Sequence, residues 1–312
     1  MMQIIDLHCD TMMHLIDQGQ LNLKKNNLSV DIEKLKSGNV LAQFFALYID
    51  LAQYPNALQR CLSMLDRFYQ EIDVNSREIA LARNIQELSS NQQAGKISAF
   101  LTIEEGGALQ GHLENLRNFY RLGVRLLTLT WNYPNEIGYP NCESQYSTKG
   151  LTDFGQQVVH EMNQLGMIID VSHLSDQGFY DVAHLSSKPF VASHSNGRAV
   201  RDHGRNLSDE MIRCLAQKGG VMGINFSGNF LGGSKISKID DMIVHIKHIY
   251  HVGGLDVLSI GTDFDGINYT LEIGNSGELF KLIEALSKNG FTTTQIEKIA
   301  YKNTLRVIKE CL

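Results

Sequence analysis

Short apolar runs alternate with amphipathic segments along the whole chain. Eight of the runs are nearly continuous in apolar or small residues, which is typical of parallel strands that are buried on both faces. We predict strands at Gln3–His8, Leu41–Tyr48, Ser98–Glu105, Val124–Thr130, Met167–His173, Pro189–His194, Gly220–Phe226 and Val257–Asp263.

Apolar residues at helical spacing fill most of the segments between these strands. They predict helices at Asn56–Val74, Glu114–Leu122, Thr152–Leu165, Asp209–Lys218, Ile239–Val252, Gly277–Lys288 and Thr292–Cys311. Strands that alternate with helices in this way favour an α/β fold of the (β/α)8 TIM-barrel type over a doubly wound open sheet. Because no Pro-rich linker interrupts the pattern, we expect a single barrel domain over residues 1–312.

Two predicted connections are unusually long. The stretch Asp50–Pro55 and the helix after it lengthen the crossover from the second to the third strand, where we expect a lid or a dimer contact. The loop Asn132–Gly150 follows the fourth strand, at the face where barrel enzymes place their active sites. It therefore either covers a substrate or is an ordinary surface loop.

The composition excludes several classes of function. The chain has 312 residues, of which 43% are hydrophobic, and a formal net charge of -6. It has no tract dense in Lys or Arg and no apolar run of membrane-spanning length, so we expect neither a nucleic-acid nor a membrane partner. The N-terminus lacks the pattern of a secretory signal, and the five cysteines form no Cys-x-x-Cys pair. We therefore expect reduced thiols in a cytoplasmic protein.

Side chains that can bind a metal ion end several of the predicted strands. His8 and Asp10 follow the first apolar run, and because they are two residues apart, their side chains point to the same side. Further candidates at strand ends are Glu104, Glu105, His173, His194, Asp263 and Asp265. Each alone has an ordinary structural explanation, but the C-terminal ends of barrel strands converge on one site. Together these residues predict a metal centre.

Only one of the two adjacent glutamates can point into this centre from a strand. Glu105 directly precedes Gly106 and Gly107, where the backbone can turn sharply and come close to a metal, so we favour Glu105 over Glu104. Imidazole and carboxylate ligands without thiolate suit zinc or a similar divalent ion. The number of candidates exceeds the need of one catalytic metal and fits two metals that share a carboxylate.

A loop with three arginines follows His194. It contains Arg198, Arg201 and Arg205, and it predicts an anion-binding site because guanidinium groups bind carboxylates in a planar, bidentate way. The alternative is a solvated loop with surface salt bridges, and this alternative is stronger for Arg198 and Arg201.

Seven motifs occur in the order seen in the renal (membrane) dipeptidase family, and the resemblance covers nearly the whole chain. The motifs are Asp6–Asp10, Glu105–Gly107, Leu126–Thr130, Asp170–His173, Ser193–Ser195, Arg205–Asn206 and Gly261–Gly266. The resemblance implies a zinc-dependent dipeptidase with an amidohydrolase-like barrel, in a family where homodimers are common.

The resemblance also implies a role for each metal-binding candidate. His8 and Asp10 resemble the ligands of one zinc ion, and His173 and His194 resemble those of the other. Glu105 resembles the carboxylate that bridges the two. The expected reaction is hydrolysis of a dipeptide by a hydroxide that bridges two zinc ions.

Residues that would contact the substrate agree only in part with the family. Asp263 resembles the family's acid/base, and Arg205 resembles the arginine that holds the substrate's C-terminal carboxylate. Many relatives have a histidine where this chain has Trp131. The indole N–H donates a hydrogen bond, but the ring cannot take up a proton and become positively charged. Asn132 is a candidate to share that role. A tyrosine of the mammalian pocket corresponds to Phe230.

Two alternative functions remain open. The same metal centre would serve an amidohydrolase that cleaves another carboxylate-bearing amide or a lactone. A metal-binding barrel without catalysis is the other alternative; Trp131 favours it, whereas Asp263 and the full ligand set oppose it. Assays against a small panel of dipeptides separate the three.

Overall fold

Hydrogen bonds between parallel strands run around a closed ring of eight strands in the computed structural model, which describes residues 2–268 and 270–312. The strands in chain order are β1 (Ile4–Cys9), β2 (Val40–Tyr48), β3 (Ile79–Leu81), β4 (Ile97–Glu104), β5 (Val124–Thr128), β6 (Ile168–Asp170), β7 (Val191–Ala192), β8 (Val221–Ile224), β9 (Ile236–Ser237), β10 (Leu258–Ile260) and β11 (Thr270–Leu271). The ring follows the order β1, β2, β4, β5, β6, β7, β8 and β10, and β10 pairs back to β1. The predicted (β/α)8 barrel is confirmed.

Each of the eight predicted apolar runs overlaps one strand of the ring. Six of these strands end before the predicted run does, because the chain leaves the hydrogen-bonded ladder where the polar residues begin. After β6, for example, His173 has a φ of 69° and so cannot continue a strand. The remaining strands, β3, β9 and β11, are short and lie outside the ring.

Helices cover the outside of the barrel. They are α1 (Thr11–Asp17), α2 (Ile32–Ser37), α3 (Ala57–Val74), α4 (Ile85–Gln93), α5 (Leu113–Arg121), α6 (Asp153–Leu165), α7 (Asp176–Leu185), α8 (Asp209–Gln217), α9 (Gly228–Leu231), α10 (Ile239–Gly253), α11 (Phe280–Lys288), α12 (Thr293–Glu297) and α13 (Asn303–Cys311). Six of the predicted helices match single helices, whereas the predicted segment Thr292–Cys311 consists of α12, a π-helical turn and α13. Helices α1, α2, α4, α7 and α9 were not predicted.

The predicted long crossover after β2 is present and contains α3, β3 and α4 before the chain enters β4.

Phe44 and Phe100, on neighbouring strands of the barrel, stack with their ring centroids 4.6 Å apart. They belong to an apolar cluster that includes Val307 and Ile308 of α13, so the C-terminal helix packs against the barrel. None of the helices in the described part of the chain has both the length and the apolarity that crossing a bilayer requires.

Candidate metal centre

The C-terminal ends of the barrel strands bring five buried polar side chains together. His8 lies on β1 and Glu104 ends β4, while His173, His194 and Asp263 follow β6, β7 and β10. In a barrel of parallel strands these ends meet at one face, which is where such enzymes keep their active sites. The predicted convergence of His8, His173, His194 and Asp263 is therefore present in the structure.

Glu104 lies in the middle of this cluster. Its Oε2 is 3.2 Å from His8 Nε2, and its Oε1 is 3.1 Å from His173 Nε2 and 3.4 Å from His194 Nε2. Asp10 completes the other side, with Oδ2 3.4 Å from His8 Nε2. Two groups of candidate ligands therefore share Glu104, and within each group the ligand atoms lie within 4.8 Å of one another. The groups are His8, Asp10 and Glu104, and Glu104, His173 and His194. A third group, without Glu104, consists of His8, His194 and Asp263.

The expectation that Glu105 bridges the metals is wrong, because its carboxylate points away from the histidines. It accepts hydrogen bonds from Gly107 N at 2.6 Å, from Trp131 N at 3.0 Å and from the side-chain amide of Asn135. The physical reason lies in the backbone: the strand ends at Glu104, and the chain turns at Glu105 itself, where φ is 118°. The turn begins one residue earlier than the glycine pair suggested.

Hydrogen bonds at the Nδ1 atoms fix which ring nitrogens of two histidines face the centre. Ser193 Oγ donates to Asp170 Oδ2 at 2.6 Å, so it accepts from His194 Nδ1 at 2.7 Å. His173 Nδ1 lies 3.1 Å from Asn132 Oδ1, which can only accept. Both rings then carry their proton on Nδ1 and present an unprotonated Nε2 to Glu104. This tautomer is the one that metal-binding histidines use with outer partners of this kind.

The electrostatics of the cluster favour neutral His173 and His194. Burial and the nearby Arg205 lower the pKa of His173 to about 4, and burial together with His8 lowers the pKa of His194 well below its usual value. Burial opposes ionisation of Glu104 as well, but the positive charge of His8 favours it, and the pKa of Glu104 lies well below its usual range. Two of the histidines are therefore ready to act as metal ligands.

The opposite side of the cluster carries an excess of negative charge. Burial and the charge of Glu104 raise the pKa of Asp10 well above its usual value. Although burial works against it, Glu104 and Asp10 raise the pKa of His8 well above the usual value. A buried carboxylate whose pKa is raised by a neighbouring carboxylate is stabilised by a cation, either a proton or a metal ion.

Several polar atoms of the cluster have no hydrogen-bond partner in the described part of the chain. They are His8 Nδ1, His8 Nε2 and Asp10 Oδ1. The unprotonated Nε2 atoms of His173 and His194 lie only 3.1 Å apart, so their lone pairs face each other. Two nitrogens bound to one tetrahedral zinc at its usual bond length are about 3.3 Å apart. The residues present thus fit divalent cations.

Asp263 and Arg205 lie beside the cluster. Asp263 Oδ1 is 4.0 Å from His8 Nε2, and its Oδ2 accepts a hydrogen bond from Asn225 Nδ2 at 2.8 Å. Arg205 is 3% exposed; its Nη2 donates to the carbonyl of His194 at 3.2 Å, while Nε and Nη1 have no partner among the described residues. A buried guanidinium with unsatisfied donors is suited to bind an anion.

The other two arginines of this loop have structural partners. Arg198 makes two hydrogen bonds to the carboxylate of Asp176, at 2.6 and 2.7 Å, and Arg201 Nε lies 3.4 Å from the carbonyl of Asn229. The salt-bridge interpretation was therefore the better one for Arg198.

A pocket of about 770 Å³ opens over the cluster. Its lining includes Asp10, Glu104, His173, Asp263, Trp131, Asn132 and Phe230. The Trp131 ring packs edge-on against Tyr48, with centroids 4.9 Å apart, and the Phe230 ring centroid is 5.4 Å from Cζ of Arg205. The long loop after β5 thus contributes to the pocket, which has the size of a small-ligand site.

Three residues of the site, Asn225, Asp170 and Ser193, were missed in the sequence, and Glu104 was considered but passed over in favour of Glu105; each had a signal. Glu104 and Asn225 end or follow strands, so the rule that found His173 also applies to them. Asp170 ends β6, and Ser193 directly precedes a ligand candidate. Neither was among the candidate ligands, although partners that hold the outer nitrogen of a ligand are expected at such positions.

The membrane dipeptidase family, described as "Membrane dipeptidase (Peptidase family M19)", matches residues 1–311 of the chain. The chain belongs to this family. An uncharacterized dipeptidase of Schizosaccharomyces pombe is 31% identical over 301 residues, which cover 90% of this chain and 71% of that protein. An uncharacterized protein from the pqqA 5' region of Klebsiella pneumoniae is 36% identical over 217 residues, which cover 66% of this chain and 79% of that protein.

Two solved metallopeptidase structures superpose closely on this member of the membrane dipeptidase family. A crystal structure of the dipeptidase AC, a family M19 metallopeptidase, has a TM-score of 0.93 and 26% identity, covering 99% of this chain and 98% of that one. A metallopeptidase from Rhodobacter sphaeroides, solved with a phosphinate mimic of the dipeptide L-Ala-D-Ala, has a TM-score of 0.91 and 26% identity, covering 100% and 99%. Family and fold support a metal-dependent dipeptidase.

Proposed function

We propose that this protein hydrolyses dipeptides at a centre of two zinc ions that share Glu104. The observation that carries the proposal is the pair of three-residue ligand groups, which meet at this one carboxylate. His8 and Asp10 would hold one ion, and His173 and His194 would hold the other. When bound, the two ions supply a water molecule that is acidic enough to react near neutral pH, and they polarise the peptide carbonyl.

Arg205 would place the substrate by its free carboxylate. Its Nε and Nη1 atoms lack partners, and its side chain is fully desolvated, so a carboxylate that pairs with it is bound strongly and in one orientation. Such an anchor at a fixed distance from the metal ligands would place the peptide bond next to the C-terminal carboxylate at the centre. This geometry supports dipeptides, in which that bond is the only one, as substrates.

Asp263 would move the proton during the reaction. Asn225 holds one of its carboxylate oxygens, which leaves the other directed at the ligand cluster. From there Asp263 can accept the proton of the attacking water and deliver it to the leaving amine. Trp131, Asn132 and Phe230 line the pocket in which the substrate would lie, and Trp131 would supply an indole N–H where relatives have a histidine.

A panel of dipeptides tests the proposal. The Rhodobacter sphaeroides relative holds a mimic of L-Ala-D-Ala, so the panel should pair L,L and L,D isomers of one sequence. It should also include an N-acyl amino acid and a lactone as alternative substrates. We expect dipeptide hydrolysis that a chelator abolishes and zinc restores; turnover of only the lactone or the N-acyl compound would overturn the dipeptidase assignment.

We further propose that residues 1–312 form one domain, that the protein is a homodimer and that it is cytoplasmic. Homodimers are supported by the resemblance to the family, and sedimentation velocity tests this point. The cytoplasm is supported by the cysteines, all five of which are free thiols, as expected of a reducing compartment. Fractionation of cells tests the location.

A further inference from the structure

Glu105 is a fully buried carboxylate that is not a candidate metal ligand. Its Oε1 accepts hydrogen bonds from Gly107 N at 2.6 Å and from the side-chain amide of Asn135, and its Oε2 accepts one from Trp131 N at 3.0 Å. The carboxylate thus joins the end of β4 to the loop that follows β5.

The backbone of Glu105 is strained. Its φ of 118° and ψ of 98° lie in a region that residues with a side chain rarely adopt, and such strain persists only where the surroundings hold it. The hydrogen bonds of the carboxylate are one restraint. The other restraint is the close packing of the next residue. Gly106 lies so near to Leu129 that an added Cβ would be 2.4 Å from the Leu129 carbonyl oxygen.

Asn135 extends the link from Glu105 into the loop. Besides its bond to the carboxylate, its Nδ2 donates to the carbonyl of Leu129 at 2.9 Å. Its Oδ1 accepts from Ile137 N at 2.8 Å and from Gly138 N at 3.1 Å. The loop is therefore folded around Asn135, and Glu105 attaches this folded unit to β4.

The same loop carries residues that touch the candidate metal centre. Trp131 lines the pocket, and its backbone N–H donates to Glu105. Asn132 lies next to it, with Oδ1 3.1 Å from His173 Nδ1. On the other side, the turn at Glu105 directs Glu104 toward the histidines. The hydrogen bonds of one carboxylate thus affect candidate ligands from two strands, Glu104 and His173.

We propose that Glu105 is a positioning residue, whose carboxylate holds the loop after β5 against the end of β4 and so sets the orientation of Glu104 and His173. Partners of this outer kind typically change metal affinity or activity by about 10- to 100-fold. The predicted effect on metal affinity stands on the ligand geometry, and the predicted effect on hydrolysis rests on the proposed function.

Trp131 offers a direct readout because it is the only tryptophan of the chain. Glu105→Gln keeps the size of the side chain but replaces one acceptor oxygen by a donor, so at least one of the three donors around it loses its partner. The matched control is Glu136→Gln, which makes the same chemical change at an exposed position of the same loop. The measurements on the full chain are Trp131 emission with acrylamide quenching, and zinc affinity by competition with a chelator.

In Glu105→Gln we expect a red-shifted Trp131 emission, easier quenching and a zinc affinity lowered about 10- to 100-fold for the weaker ion. In Glu136→Gln we expect wild-type values for both. A zinc affinity of Glu105→Gln within twofold of the wild type overturns the proposal, whether or not the emission moves.

Asn135→Ala tests the same link from the loop side, and it serves if Glu105→Gln does not fold. It keeps the Glu105 carboxylate and its bond to Trp131 N, so we expect the same changes in emission and zinc affinity at smaller size. Unchanged zinc affinity here also overturns the proposal. If the zinc affinities fall as expected but the wild type cleaves no dipeptide, the proposed function fails and the positioning role stands.

Discussion

Asp263 forms a group of candidate ligands with His8 and His194, but its surroundings differ from those of the ligands around Glu104. The ligand atoms of His173 and His194 lie within 3.4 Å of Glu104, whereas Asp263 approaches the cluster only at 4.0 Å from His8 and has one oxygen held by Asn225. A carboxylate that is fixed next to the cluster but is not at its centre is suited to proton transfer. We therefore expect a mutation of Asp263 to separate proton transfer from metal binding.

Asp263→Asn removes the proton acceptor and keeps the shape of the side chain. We expect kcat for a dipeptide to fall by roughly 10²- to 10⁴-fold, the usual contribution of a general acid/base, with both metal ions still bound. Asp240→Asn, at an exposed position on α10, should leave kcat unchanged. Steady-state assays with metal analysis of the same samples check this; loss of metal in Asp263→Asn would show that Asp263 is a ligand.

Arg205→Lys keeps the positive charge but loses the planar, bidentate donor pair. Because the site is fully desolvated, we expect kcat/KM to fall by roughly 10²-fold, which corresponds to about 3 kcal/mol. Exposed Arg213→Lys on α8 is the control. A dipeptide whose C-terminal carboxylate is replaced by an amide should be a poor substrate of the wild type. Arg205→Lys should discriminate much less between the free dipeptide and its amide. If the wild type and the variant discriminate equally, Arg205 does not bind the carboxylate.

At the level of elements, the centre depends on how the chain leaves each strand. Glu105, His173, Asp263 and Asp265 all have φ values above 60°, and all four follow the end of a barrel strand. Apolar runs predict where a strand lies, but they do not predict how the chain turns at its end. The choice between Glu104 and Glu105 depends on that turn and was therefore not predictable. Because glycine favours turns, the Gly106–Gly107 pair predicted a turn one residue later than the observed turn at Glu105.

Short helices were among the other elements that the sequence did not reveal, together with the longer α4 and α7. Helices α1 and α2 have 7 and 6 residues, and α9 has 4, which is too short for a helical period to show. Their positions follow from packing between the barrel and its loops. The candidate ligands other than the glutamate were predictable, because they combine a metal-binding side chain with a strand end.

Gly266 shows how closely the loop after β10 packs against the centre. A Cβ at this position would lie 2.0 Å from Asp10 Oδ2 and 2.7 Å from Asp263 Oδ1. Gly266→Ala should therefore displace Asp10 and lower the affinity for one of the two zinc ions, by about 10- to 100-fold. Gly274→Ala is the control, since its nearest contact is 3.7 Å away. Isothermal titration with zinc checks this, and two ions bound at wild-type affinity would contradict the packing.

At the level of the whole molecule, the centre joins the ends of β1 and β4 to the loops after β6, β7 and β10, which lie around the whole barrel. The barrel itself was predictable because its eight strands are continuous apolar runs. Without cations, Asp10 and Glu104 would oppose each other in a buried site. Metal ions bound only by the folded state should therefore stabilise the entire barrel.

Removal of the metal ions should lower the thermal stability. With free zinc about 1,000-fold above its Kd, one ion contributes about 4 kcal/mol, which for a chain of this size is roughly 6 °C in Tm. Differential scanning calorimetry of the native, chelated and zinc-restored protein measures the effect. A Tm that is the same in all three samples would mean that no metal ion binds to the folded protein.

The most direct test of a two-zinc dipeptidase is the rate of dipeptide hydrolysis as zinc is added stepwise to metal-free protein. The geometry around Glu104 predicts negligible activity without metal and full activity when two zinc ions are bound per chain. The same titration of Glu104→Gln should give no comparable activity. Hydrolysis that persists after complete metal removal, or that reaches its maximum at one zinc ion per chain, would contradict the proposed centre.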